Sequence, residues 1–133
     1  MALASLDRPG PRTALLLQLV PLALAAGCIG DSRLPYADAP RAQVLRGQAL
    51  LAQYQCGSCH AIPEVSAARG TAGPALAGFG RRSYIAGEVP NRPDTLARWI
   101  AQPTALVPDT LMPAMGVSAD EARDMAAYLL ALE

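Results

Sequence analysis

Two thiols three positions apart, followed directly by an imidazole, stand at Cys56-Gly57-Ser58-Cys59-His60. In a turn of helix that spacing puts both sulfurs on one side, where each can form a thioether with a haem vinyl group. The adjacent imidazole then reaches the iron from below. This is the attachment pattern of c-type haem, so five residues supply two covalent anchors and one axial ligand. His60 is the single histidine of the chain, which excludes a second axial imidazole within one protomer. The remaining iron ligand has to be another atom type. A methionine thioether is a weak, soft donor that favours ferrous iron and raises the reduction potential, as suits a carrier delivering electrons to a high-potential acceptor. Met112 is the favoured ligand, because Pro108 and Pro113 stiffen the loop on either side of it. Met115 is its rival, Met125 faces a helix interior, and any methionine in an apolar loop also serves as core filler.

Other chemistries fit these residues less well. A thioredoxin-like pair at Cys56 and Cys59 needs a βαβ pattern that the chain lacks. Zinc finds only three Cys and one His, with Cys28 far from the others. Peroxidase-type catalysis needs a vacant iron position and a distal acid or base, and there is no second histidine to serve. Two readings remain beside the carrier: a haem electron-relay subunit of a dehydrogenase or other multi-subunit oxidoreductase, and a haem gas sensor that loses its Met ligand.

The elements that must position the motif follow from periodicity. Val44, Leu45, Gln48, Leu51, Ala52 and Tyr54 have rough helical spacing, so a helix is predicted from near Arg41 running straight into Cys56. Residues 62–80 hold Pro, Gly and small side chains and predict a loop lying against something flat and bulky. Asn91-Arg92-Pro93-Asp94 predicts a helix start with Asn91 as its cap, carrying Leu96, Trp99 and Ile100 on one face and stopping at Pro103. After a loop over 103–117, Ser118 and Glu121 form a capping box for a last helix with Ala122, Met125, Ala126, Leu129 and Leu132 on one side. No segment alternates with period two for long, so the expected class is all-α with essentially no sheet. The chain has one Phe, four Tyr and one Trp, a thin core that an apolar macrocycle would fill.

The start of the chain reads differently. Arg8 and Arg12 precede a nearly all-apolar stretch over 13–26, interrupted by Pro21 and shorter than the roughly 20 residues a spanning helix needs. Residues 1–27 are therefore expected to be an export signal peptide, the other reading being an uncleaved membrane anchor. Leu24-Ala25-Ala26-Gly27-Cys28 resembles a bacterial lipobox, with Ala25 where Leu is more usual, and makes Cys28 the expected lipid-bearing residue. Cleavage near Ala25 or Ala26 would instead leave Cys28 as a free thiol. Residues 28–40, with prolines and small polar side chains, read as a flexible linker. The chain of 133 residues has no Lys; without residues 1–27 it keeps nine Arg against ten carboxylates, a formal charge of −1. That balance gives no footing for nucleic-acid binding.

With these residues in place the stretch 41–133 resembles a mono-haem class I cytochrome c. The resemblance is carried by Cys56 to His60, by Gly73-Pro74-Ala75-Leu76-Ala77-Gly78, by Trp99, by Pro108-Asp109-Thr110-Leu111-Met112-Pro113 and by Ala127-Tyr128-Leu129. It implies one haem c, covalently attached, in a small fold whose first and last helices cross near Gly47, Leu51, Met125 and Tyr128. It implies that the Pro74 carbonyl accepts the other ring N–H of His60, and that Trp99 borders the haem on the methionine side. Arg81, Arg82, Tyr84 and Asn91 are candidates to neutralise or hydrogen-bond the haem propionates. Relatives similar in the stretch Arg82-Ser83-Tyr84-Ile85-Ala86-Gly87 accompany respiratory haem-copper oxidases. The expectation is thus an electron-transfer protein, not itself an enzyme, lipid-anchored on the periplasmic side of the cytoplasmic membrane and passing electrons from a quinol-oxidising complex or soluble donor to a terminal oxidase.

Overall fold

The computed structural model describes residues 34–133. The expected signal peptide over 1–27, the lipidation site Cys28 and the first part of the linker lie outside the described residues. Among the described residues three α-helices carry the fold: α1 (Arg41–Gln53), α2 (Pro93–Ala101) and α3 (Ala119–Leu130). Short 3-10 turns at Cys56–Ser58, Phe79–Arg81 and Pro103–Ala105 punctuate the loops between them. Among the described residues no helix is long and apolar enough to cross a membrane.

α3 is the central element. Its start is fixed by the capping box: Glu121 N–H donates to Ser118 Oγ at 3.3 Å and Ser118 N–H donates to Glu121 Oε2 at 3.0 Å. Two orphan donors of the first turn are thereby satisfied. Ala122, Met125, Ala126, Tyr128, Leu129 and Leu130 are buried, Met125 completely. α1 crosses α3 at Gly47, where a methyl group would lie 2.6 Å from the Asp124 carbonyl carbon and 3.1 Å from Met125 Cα. Only glycine lets the two backbones come that close. Beside this contact Arg46 forms a two-pronged ion pair with Asp124, Nε to Oδ2 at 2.8 Å and Nη2 to Oδ1 at 3.1 Å. α2 buries Leu96, Ala97, Trp99 and Ile100 in the same core.

Four features differ from the sequence expectations. A two-stranded antiparallel ribbon is present, β1 (Tyr84–Ile85) with β2 (Val89–Pro90), Ile85 opposite Val89. Strands of two residues are too short to show a period of two, and the connecting turn is carried by positive φ at Ala86 (49°) and Gly87 (84°). Arg92, not Asn91, is the N-cap of α2. Asn91 is buried, and its Nδ2 donates to the carbonyls of Phe79 (3.2 Å) and Arg82 (2.9 Å); it satisfies the turn at 79–81 instead of the helix end. α2 also ends at Ala101, short of Pro103. Finally, the packed body starts before Arg41: Leu34 is buried beside Gly80, so the last residues of the expected linker dock on the domain.

Candidate haem site

α1 delivers the chain to the motif through Gln55, whose φ of 54° is left-handed. That break turns the backbone into the 3-10 turn Cys56–Ser58, closed by Cys59 N–H and His60 N–H donating to the Cys56 carbonyl at 3.3 and 3.0 Å. Cys56 and Cys59 are both free thiols, Cys56 half-buried and Cys59 exposed. Burial pushes the Cys56 thiol up from its ordinary value, which keeps it protonated at neutral pH. The following loop is stitched back over the turn: Gly70 N–H donates to the Gly57 carbonyl at 2.9 Å, Gly73 N–H to the Cys59 carbonyl at 2.8 Å and Leu76 N–H to the Ala61 carbonyl at 2.8 Å.

This stitching sets the imidazole. His60 Nδ1 is 2.7 Å from the Pro74 carbonyl oxygen. A carbonyl only accepts, so Nδ1 carries the proton and the neutral ring keeps its lone pair on Nε2. Gly73 packs against the same ring, leaving no room for a side chain. Across the loop over 103–117, Met112 is half-buried against the apolar core, its backbone N–H donating to Thr110 Oγ1 at 3.2 Å. Met115 is 48% exposed and Met125 is 0% exposed, so of the three only Met112 lies at the boundary of the core. Trp99 belongs to the buried cluster on which both Met112 and Cys56 pack. The structure therefore gathers Cys56, Cys59, His60 and Pro74 in one constellation and sets Met112 and Trp99 on the same core.

The candidates for the propionates fall on one groove of about 400 Å³, lined by Arg81, Arg82, Tyr84 and Asn91 together with Arg92 and Tyr36. Two of them are already engaged with backbone. Arg82 Nη2 donates to the carbonyls of Ala75 (2.5 Å) and Ala77 (3.3 Å), and Asn91 holds the carbonyls of Phe79 and Arg82. The side-chain ties at Arg82 and the close fit of Gly73 to the ring carry no signature in residue type alone. Only the adjacency of Gly73 to Pro74 hinted at the second.

The donor set fits c-type haem. Two unpaired sulfurs share one turn with an imidazole whose ring orientation is already fixed by a carbonyl, and a half-buried thioether lies on the same core. Among the described residues no three His, Cys, Asp or Glu side chains converge as a site for a bare metal ion.

Comparison with known proteins gives one family and one relative. The cytochrome c family matches residues 44–133. Cytochrome c oxidase subunit 2 of Alkalihalophilus pseudofirmus is 34% identical over 89 residues, which cover 66% of this chain and 25% of that protein. The chain thus spans about a quarter of the length of that relative. No solved structure matches it.

Proposed function

The chain belongs to the cytochrome c family, and from that premise we propose that it is a mono-haem one-electron carrier of a respiratory chain that donates to a terminal oxidase. Family membership implies binding of c-type haem and electron transfer, not turnover of a substrate. When bound, haem c supplies a one-electron ferric–ferrous couple.

The roles of the chain's own residues follow from the geometry described. Cys56 and Cys59 would hold the two vinyl-derived carbons as thioethers. His60 would present Nε2 to the iron, with the Pro74 carbonyl fixing the ring and raising its basicity. Met112 would supply a thioether to the iron, and Trp99, on the same core, would border it. The single observation that carries this assignment is the 2.7 Å contact of His60 Nδ1 with the Pro74 oxygen, because it leaves Nε2 as the free donor in a turn that holds both thiols. Leu111, 99% exposed beside Met112, offers apolar surface to a redox partner, and with no Lys in the chain any docking charge is Arg or carboxylate.

The oxidase as acceptor is supported by similarity to a polypeptide named as an oxidase subunit. The same similarity, confined to a quarter of that protein, favours a second reading as a haem relay subunit held in an oxidoreductase complex. The anchor reading rests on the residues around Cys28, which would be lipidated after cleavage at 27 and would hold the domain on the periplasmic side of the cytoplasmic membrane.

Covalent attachment is tested by co-expression with a haem-maturation system, a pyridine haemochrome spectrum and acidified organic extraction. The c-type spectrum should appear and the colour should stay with the polypeptide; colour leaving with the solvent refutes attachment through two sulfurs. Cys28→Ala should release the protein from membranes, and retention of that variant would point to an uncleaved N-terminal helix.

A further inference from the structure

The Pro74 carbonyl that orients His60 belongs to a loop outside every helix and strand, so something else must hold it still. On its N-terminal side the loop is tied by Gly73 N–H to the Cys59 carbonyl, and further on by Leu76 N–H to the Ala61 carbonyl. The carbonyls of Ala75 and Ala77 point to neither. Both are taken by one group, the Arg82 guanidinium, through Nη2 at 2.5 and 3.3 Å. Arg82 is itself steadied: its guanidinium carbon lies 5.1 Å from the centroid of the Phe79 ring, Phe79 is buried, and the Arg82 carbonyl accepts from the buried Asn91 amide at 2.9 Å. A chain of contacts thus runs from the core through Phe79 and Arg82 to the peptide that follows Pro74.

We propose that Arg82 is a positioning residue for the electron-transfer centre: by clasping the Ala75 and Ala77 carbonyls it fixes the Pro74 carbonyl on His60 Nδ1 and so sets the orientation and donor strength of that imidazole. The inference rests on the reading of His60 as iron ligand. It assigns Arg82 Nη2 to the loop carbonyls. The guanidinium suits this task because the two N–H groups of Nη2 are held in a rigid plane, whereas an ammonium is a flexible point donor. Outer partners of a ligating histidine act on the metal through the bond they orient.

The test uses the full-length protein matured with haem, in the reduced state and labelled with ¹⁵N-histidine. With a single histidine in the chain, its ring resonances need no assignment. The readout is the exchange rate of the Nδ1 proton with solvent. Arg82→Gln should speed that exchange by about tenfold, the scale expected when a protecting hydrogen bond loses its support. Arg92→Gln removes the same charge from the same groove and should stay within about twofold of wild type, because loss of charge alone opens no hydrogen bond. Arg82→Lys keeps the charge without the fork and should fall between them; it also reports on the fork should the Gln variant fail to accumulate.

Equal rates in Arg82→Gln and Arg92→Gln overturn the inference. So does full protection in Arg82→Lys, which would reduce the role to charge. Failure of the ligand reading shows separately and earlier: His60 ring resonances without a haem ring-current shift in the wild type overturn that reading and this inference together. A wild type that carries the shift, beside an Arg82→Gln variant with unaltered exchange, overturns this inference alone.

Discussion

Gly73 lies flat against the His60 imidazole: a methyl group at position 73 would stand 2.7 Å from Nδ1, 2.9 Å from Nε2 and closer still to Cε1. The ring cannot swing away without losing the Pro74 carbonyl 2.7 Å from its Nδ1. Gly73→Ala therefore forces either the ring or the loop to move. It is expected to cost about 1–3 kcal/mol, the range for an added methyl in a filled site. In the matured protein the same variant should alter the visible spectrum; denaturant titration and absorbance check the two effects, and an unchanged spectrum with unchanged stability would refute the close fit.

The three internal methionines differ in what their loss should do. Met112→Ala should abolish the sulfur-to-iron charge-transfer band of the oxidised protein, and Met115→Ala should leave it. Met125 is fully buried, so Met125→Ala should lower stability by about 2–5 kcal/mol through the cavity it leaves while the band persists. Near-infrared and red absorbance of the three purified variants decides the matter. Loss of the band in Met115→Ala with retention in Met112→Ala would reverse the ligand assignment.

At the helix crossing, Gly47→Ala places a methyl group 2.6 Å from the Asp124 carbonyl carbon. The three nearest atoms it meets, Asp124 O and C and Met125 Cα, all belong to backbone, so relief requires α1 and α3 to separate. The expected loss is about 1–3 kcal/mol or more, seen as a lower thermal midpoint. By contrast Arg46→Gln, which removes an ion pair whose Arg is largely exposed, should lower the thermal midpoint far less, because solvent screens such a pair.

Glu121 predicts a pH dependence. Its carboxylate accepts from Ser118 Oγ at 2.6 Å, Ser118 N–H at 3.0 Å and Tyr54 Oη at 3.0 Å, and the Ser118 hydroxyl, the Ser118 N–H and Tyr54 hold its pKa below the usual carboxylate range in that order of importance. A carboxyl with a depressed folded value stabilises the fold above its unfolded pKa of about 4.3 and loses that contribution as pH falls through the folded value. Glu121→Gln should therefore flatten the acid limb of stability plotted against pH below about 4.3. Tyr54, raised chiefly by its bond to Glu121, works in the other direction: its contribution is full below about 10 and lost above the folded value. Thermal midpoints across both limbs, in wild type and Tyr54→Phe, test the pair; parallel curves would dismiss it.

What could be read from residues alone divides along physical lines. The Cys56 to His60 motif and the Ser118–Glu121 box are legible because their chemistry depends on spacing along one segment, which sequence displays directly. α1 and α3 are legible through periodicity, and Gly47 becomes meaningful once a crossing is expected there. Asn91 reads as a cap from its local context, while the carbonyls it satisfies, of Phe79 and Arg82, are presented by a turn more than eight residues earlier. The ribbon at Tyr84 to Pro90 has too few residues for a pattern. Arg82 looks like any surface arginine until the Ala75 and Ala77 carbonyls are seen beneath it, since long-range pairings leave no mark in composition.

Gly80 has a neighbour from each end of the described chain: its N–H donates to the Leu132 carbonyl at 2.9 Å, and the Leu34 side chain packs beside the same residue. The domain's doorway and its way out are thus one threshold. A polypeptide built so can be joined to other chain at either end of the domain with its three helices keeping their arrangement.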